Sequence, residues 1–269
     1  FYNRDMFQKA GLSVPTNKDE LMTAAKKLTL NATGRVEQYG LPVVSDQSSE
    51  TYMSLTYLLT GLGYSWVEQG KLVSKEHLHE ALAMTDELIK EGAYPAGLNN
   101  DQRRQLFWQG EAAMYIDGSW AVGFKDKASP KVKEAYGVAP LPLDGAAGGP
   151  SNVLAIPAAL PENRKDLAFK FLELVQSPEW QRKYAEMTGN PPARIQDLSA
   201  AAKEKWPEME VFVASTQRTK QSYLPEGKES EFPKWSAIVN AGVSGLASGA
   251  LTVDQAVDQI HDELSEEFF

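Results

Sequence analysis

The sequence predicts an α/β protein, and three observations carry that prediction. Segments with helix periodicity alternate with short apolar runs bounded by Gly and Pro, as expected when helices cover sheets. A length of 269 residues corresponds to roughly two lobes at ~150 residues each. Apolar residues make up 42% of the chain and charged residues 23%, enough for a sizeable core without disulfide or metal staples.

The elements follow in chain order. Asn3 is placed to cap a short helix with Met6, Phe7 and Ala10 inward and Gly11 as its stop. Thr16 with Asp19, or Asn17 with Glu20, makes a capping box ahead of the helical spacing of Leu21, Ala24, Ala25 and Leu28. Ser74 opens a strongly amphipathic helix whose face is Leu78, Ala81, Leu82, Thr85, Leu88 and Ile89, with Gly92 at its end. Residues 39–44, 112–116, 136–141 and 152–156 read as strands. Asn163 opens a helix with Leu167, Ala168, Phe171, Leu172 and Val175 inward, and Ser177-Pro178 restarts a helix at once. Trp235, Ile238, Val239, Gly242, Val243 and Leu246 form one stripe. Thr252 and Gln255 cap a last helix carrying Ala256, Val257, Ile260 and Leu264. The Gly-rich run from Asp144 to Pro150 reads as the most flexible stretch and suits a crossover between lobes. Together with an irregular stretch at 189–194, it divides the chain into 1–145, 146–192 and 193–269.

Several chemistries are excluded or left without a motif. Lys and Arg number 27 against 36 Asp and Glu, a net charge of −9, which disfavours nucleic acid or an anionic membrane as the main partner. The absence of cysteine excludes disulfides, Cys-ligated zinc and thiol nucleophiles. The longest apolar stretch, 153–160, is broken by Pro157 and falls short of the ~18 residues a membrane span needs. No leader peptide precedes Phe1-Tyr2-Asn3, which reads like mid-protein sequence, so the start of the chain is expected to be missing. His77 and His79, two apart on a helix, point to different sides and cannot share a metal. No phosphate loop, dinucleotide fingerprint or nucleophile elbow occurs, so no metal or cofactor is expected. A glycosidase needs two carboxylates ~5–10 Å apart across a cleft. The 36 acids offer many such pairs, but no motif marks one.

Aromatics are more informative. Trp120 follows Asp117-Gly118-Ser119 at the end of a strand, and Tyr52 lies beside Ser48, Ser49 and Glu50 at a helix entry. Ligands of α/β sheets gather outside strand carboxyl ends. A flat ring with polar neighbours suits a sugar, whose C–H face stacks while its hydroxyl rim takes hydrogen bonds. The alternative is that each ring plugs a core edge.

Five segments, in order and spacing, resemble the extracellular sugar-binding proteins of ABC importers, the family of maltose-binding protein. Residues 1–12 resemble the family's tyrosine-Asn-Lys-Asp entry, and 15–29 the helix after it. The most specific match is 107–120, Phe-Trp-Gln-Gly-Glu-Ala-Ala-Met-Tyr-Ile-Asp-Gly-Ser-Trp. Residues 136–142 with 155–156 resemble its return strands, and 249–256 its last-helix entry. The resemblance implies a periplasmic-binding-protein-like (type II) fold of two α/β lobes, with the N-terminal lobe incomplete. Segments 1–145 and 193–269 then form the C-terminal lobe, and 146–192 belongs to the N-terminal lobe.

The same resemblance places the binding residues. Glu50 and Tyr52 fall where the family has an acid and an aromatic that touch sugar, and Trp120 falls on its stacking Trp. Trp235 lies next to another aromatic ligand position, which Lys234 takes if the alignment moves by one. Gly149 and Arg194 match a loop Gly and an Arg able to face the cleft; in the alternative, one turns the chain and the other pairs with a carboxylate. The implied function is a non-enzymatic carbohydrate receptor, periplasmic or extracellular, free or lipid-anchored, that closes on its sugar and delivers it to a membrane permease. The alternatives are a carbohydrate-active enzyme with a carboxylate pair, and a receptor for glycerol phosphate or a polyamine. The incomplete lobe is expected to leave an apolar face open to self-association.

Overall fold

The computed structural model describes residues 1–32, 35–91, 97–148, 153–194 and 197–269. From the N-terminus, β1 (Tyr2–Asn3) runs into α1 (Arg4–Lys9) and α2 (Lys18–Lys27), followed by the pair β2 (Leu30–Ala32) and β3 (Arg35–Gln38). Helix α3 (Ser49–Gly61), the pair β4 (Val67–Glu68) and β5 (Lys71–Leu72), and α4 (Lys75–Lys90) come next. Helix α5 (Asn100–Gln109), a 3-10 helix (Ser119–Lys127), α6 (Pro130–Ala135) and β6 (Tyr136–Gly137) complete the first half. The second half holds β7 (Ala146–Gly148), α7 (Glu162–Val175), α8 (Pro178–Thr188), α9 (Ala200–Lys205), α10 (Met209–Thr216), β8 (Thr219–Ser222), α11 (Phe232–Ala247) and α12 (Val253–Phe268).

Helix starts follow local chemistry. Asn3 accepts from the Met6 amide at 3.2 Å, and Asn17 from the Glu20 amide at 2.9 Å. Ser74 caps α4 and Ser177 caps α8, with Pro178 in its first turn. Thr252 and Gln255 make the expected reciprocal box at α12, and Asn99 with Gln102 makes another at α5. Helix α7 begins just before Asn163, with Pro161 in the capping position. The expected stop at Gly92 lies outside the described residues.

The helical core is held by aromatic packing. Tyr52 on α3 stacks on Trp66 at 5.5 Å, and Trp66 meets Trp235 on α11 edge to face at 6.1 Å. The apolar stripes of α4, α11 and α12 close around these rings. At Gly242 a side-chain Cβ would sit 2.4 Å from Ile260 Cγ1, so the absence of a side chain lets α11 and α12 cross closely.

Strands are shorter than the sequence suggests. Residues 39–40, 112–115, 1–3 and 136–137 lie side by side as a mixed, four-segment ribbon. Its bonds include Ala113 N to Tyr39 O at 2.8 Å and Tyr115 N to Phe1 O at 3.0 Å. The expected strand at 39–44 pairs only at its start, 112–116 forms bridges rather than a continuous strand, and 136–141 contracts to β6. Pro42, Pro140 and Pro142 lack the N–H that would extend these ladders. The expected strand at 152–156 does not form over 153–156, and Val153 is 79% exposed; Asn152 lies outside the described residues. Within the Gly-rich run, Ala146–Gly148 form β7, which pairs in parallel with β8, Ala146 opposite Thr219; Gly149 and Pro150 lie outside the described residues.

Helix α7 carries the apolar surface expected to lie open. Of its supposed inward face, Leu167 and Phe171 are more than half exposed and Ala168, Leu172 and Val175 are half-buried; Phe169 is also more than half exposed, and no described residue of the helix is fully buried. Trp180, Tyr184 and Met187 extend that apolar surface along α8.

Trp235→Ala is expected to cost about 3–5 kcal/mol of stability, because it empties a site shared by Trp66 and α12. Urea unfolding monitored by far-UV circular dichroism checks this.

Candidate functional site

The run from 112 ends at Asp117-Gly118-Ser119-Trp120, where the chain turns into the 3-10 helix. The Asp117 carboxylate accepts from the Gly118 amide at 2.8 Å, which tightens the turn. It also accepts from Arg104 Nε at 2.7 Å and Arg103 Nη2 at 3.2 Å. Its side chain is 2% exposed, and that of Arg103 4%. Both arginines come from one turn of α5, which is anchored at its start by the Asn99 box and ended by left-handed Gly110.

Gly118 has a specific task. The Trp120 ring lies on its backbone, 2.3 Å from where a Cβ would stand, so only glycine leaves room for the indole. Ser119 donates to Asn190 Oδ1 at 2.9 Å and ties the turn to the end of α8.

Glu50 joins this cluster from the first turn of α3. It accepts from Asn100 Nδ2 at 3.0 Å, and Asn100 Oδ1 accepts from Arg103 Nη2 at 2.6 Å. Burial pushes the Glu50 carboxyl above the usual carboxylate range, while Arg103 and Arg104 pull the other way. Tyr57, seven residues along the same helix, is also in the field of Asp117; burial above all raises its phenol.

A cavity of about 550 Å³ opens beside these groups. Tyr57, Asp117, Trp120, Pro140, Phe212 and Ser215 are among the residues lining it. The volume is that of a small-molecule site, and the wall is mostly apolar with a few polar groups at one end. Asp117 is the one charged side chain among the described lining residues. The Phe1 backbone nitrogen donates to Tyr115 O at 3.0 Å. Arg218 lies next to the rim but donates to the carbonyls of Leu141, at 3.0 Å, and Leu143.

Of the residues expected at the site, Trp120 lines the cavity and Glu50 belongs to the adjoining polar cluster. Tyr52 does not present a platform: it is fully buried, and its hydroxyl donates to Tyr223 O at 2.6 Å. Trp235 is likewise fully buried in the helical core, and Lys234 pairs with Glu267 at the surface. Arg194 takes the carboxylate-pairing alternative, with Nε on Asp197 at 3.0 Å and Nη2 on the Gln176 carbonyl at 2.7 Å, where it braces the end of α7. Gly149 lies outside the described residues. Arg103, Arg104, Asn100 and Tyr57 escaped the sequence reading. The Asn100-x-x-Arg103 spacing on one helix face, and Tyr57 two turns below Glu50, were available signals.

A family model described as bacterial extracellular solute-binding protein matches residues 1–182. A periplasmic sn-glycerol-3-phosphate-binding protein of Rhizobium meliloti is 25% identical over an alignment that covers all of this chain and 59% of that protein. A mannitol-binding protein of Pseudomonas aeruginosa is 27% identical, over 96% of this chain and 63% of its own length. The chain thus spans about three fifths of the length of these curated relatives. Among solved structures, a solute-binding protein from Agrobacterium radiobacter K84 in complex with ribitol superposes with a TM-score of 0.81 at 23% identity, covering 99% of this chain and 68% of that one. Maltose-bound MalE3 of T. maritima gives 0.79 at 22% identity, with 98% and 69% covered.

Glu50→Gln is expected to raise stability at pH 7. The raised carboxyl is costly when ionised, and that cost fades as pH falls through its folded-state value, so wild type and variant converge in acid. Thermal melts from pH 7 down to pH 3.5 check the trend; a constant offset across that range contradicts it.

Proposed function

The chain belongs to the bacterial extracellular solute-binding proteins and has their two-lobe α/β, periplasmic-binding-protein-like (type II) fold; from that premise we propose that it is the carbohydrate or polyol receptor of an ABC import system. Membership in a family of binding proteins removes the hydrolase alternative. The receptor acts outside the cytoplasm, captures a mono- or oligosaccharide or its alcohol, closes, and presents the closed form to a membrane permease. Closure follows from differential affinity for the closed state.

The observation that carries the reading is Trp120, a ring fixed on Gly118 at the mouth of a mostly apolar cavity and flanked by a buried polar cluster. That is the pairing a sugar needs: a flat face for its C–H side and acceptors for its hydroxyls. Glu50 supplies an acceptor at the polar end. Tyr52, Trp235 and Arg194 take no part in this site.

The lobe assignment follows the same reading. Segments 1–145 and 193–269 form one lobe, and 146–192 belongs to the other, crossing over at β7. The exposed face of α7 and α8 supports this, because Leu167 and Phe171 are more than half exposed and Trp180 nearly half.

Mass spectrometry of ligand retained by the natural protein, followed by calorimetry with that ligand, tests the function. The sugar is expected to be returned intact after prolonged incubation, and release of cleaved product overturns the reading. Trp120→Ala is expected to weaken binding about 30-fold, the ~2 kcal/mol of a central aromatic anchor; unchanged affinity makes Trp120 a packing residue. The 269 residues are expected to self-associate through the exposed apolar residues of α7 and α8. Sedimentation velocity of the wild-type chain against a Leu167→Glu, Phe171→Glu variant checks the association.

A further inference from the structure

One donor of the polar cluster is left over. Arg103 gives Nη2 to Asp117 at 3.2 Å and to Asn100 at 2.6 Å, and its guanidinium lies 5.8 Å from the centre of the Tyr115 ring. Its Nε is buried and has no protein partner. The side chain is 4% exposed, so bulk water does not reach this group. A buried N–H without an acceptor costs more than an ordinary hydrogen bond gains, and a charged donor costs most.

A second observation lies at the same place. Arg103 borders a void of about 10 Å³ between α3, α5 and the residues around Val43 and Ile116, distinct from the large cavity. That is the space of a single water. Voids that stay dry are lined by apolar groups alone, whereas this one has Ser54 and Tyr57 of α3 beside Arg103 among its described lining residues. Glu50, Ser54 and Tyr57 follow one another at spacings of four and three residues, so they form one polar stripe along α3. Glu50 meets Asn100 of α5, which orients that stripe toward the arginines. Ser54 is 6% exposed, and Tyr57 lines the large cavity as well as the void.

We propose that the void is a binding site for one resident water, which accepts from Arg103 Nε and bonds the Ser54 hydroxyl, with the Tyr57 hydroxyl as its third partner. A water both accepts and donates, and so do the two hydroxyls, so the set closes without an unmatched proton. The water completes the guanidinium of Arg103 without drawing it off Asp117. It also ties the polar cluster to a residue of the cavity wall, since a bridging water holds its partners nearly as well as a direct bond. Its bearing on ligand binding rests on the receptor reading above; its presence does not.

The experiment is a high-resolution crystal structure of the natural full-length protein without added solute. One fully occupied solvent peak is expected within about 3.2 Å of both Arg103 Nε and Ser54 Oγ. No such peak, or Nε bonded to a protein acceptor, overturns the proposal and leaves the receptor reading standing. In solution, nuclear magnetic resonance of the same protein carrying isotope-labelled arginine reads the Nε–H directly. That of Arg103 is expected to show a cross-peak to a long-lived water and to exchange about ten-fold or more slowly than that of exposed Arg182. Absence of the cross-peak overturns the proposal. Ser54→Ala removes one anchor of the water and is expected to raise the exchange rate at Arg103 Nε about ten-fold. An unchanged rate in the folded variant overturns the bridge.

Discussion

The buried carboxylate of Asp117 is the constraint on which the site depends. A carboxylate removed from water is costly unless paired and hydrogen-bonded, and here it accepts from two guanidinium groups and one backbone amide. Those bonds join α5 to the turn that begins the 3-10 helix. The turn places Gly118, Gly118 admits the Trp120 ring, and the ring forms part of the cavity wall. Loss of one partner leaves an uncompensated buried charge, so the geometry is held by the penalty for breaking it as much as by attraction.

Around this site the protein divides its labour. The aromatic and aliphatic core of α3, α4, α11 and α12 makes α3 a rigid support, with Tyr52 facing inward and Glu50 and Tyr57 available to the polar cluster. Trp235 and Tyr52 are fully buried within that support. On the other side, the ribbon of 39–40, 112–115, 1–3 and 136–137 fixes where the run through 112 ends. Proline cuts these segments short, so the chain leaves the ribbon early and the segments from 138 to 142 line the cavity rather than extend a sheet.

The apolar surface of α7 and α8 contrasts with the rest. Helix α7 has amphipathic periodicity yet no buried residue, and α8 keeps only Gln181 and Ala185 covered. Amphipathic helices are stabilised by packing more than by propensity. Arg194, Ser177 and Gln181 keep the two helices in place through backbone bonds that do not depend on covering the apolar face.

The sequence by itself determined the α/β class and the helices with a clear cap or apolar stripe, because those signals are local; α5, α6, α9 and α10 carried neither signal strongly enough to be read. Asn3, Asn17, Ser74, Ser177 and Thr252 cap helices through bonds that span three residues, and the stripes of α4, α11 and α12 repeat at helical spacing. It also singled out Asp117-Gly118-Ser119-Trp120 and Glu50. Tertiary structure alone decided which aromatic faces the cavity and which fills the core: Tyr52 and Trp120 both follow polar residues at element boundaries, but Trp66 and Trp235 come from distant segments to enclose the first. It decided too that Arg103 and Arg104, unremarkable on a polar helix, meet Asp117 thirteen or fourteen residues away, and that strands end at prolines whose partners were not foreseeable. Side-chain burial and charge pairing depend on contacts between remote segments, and no local spacing encodes them.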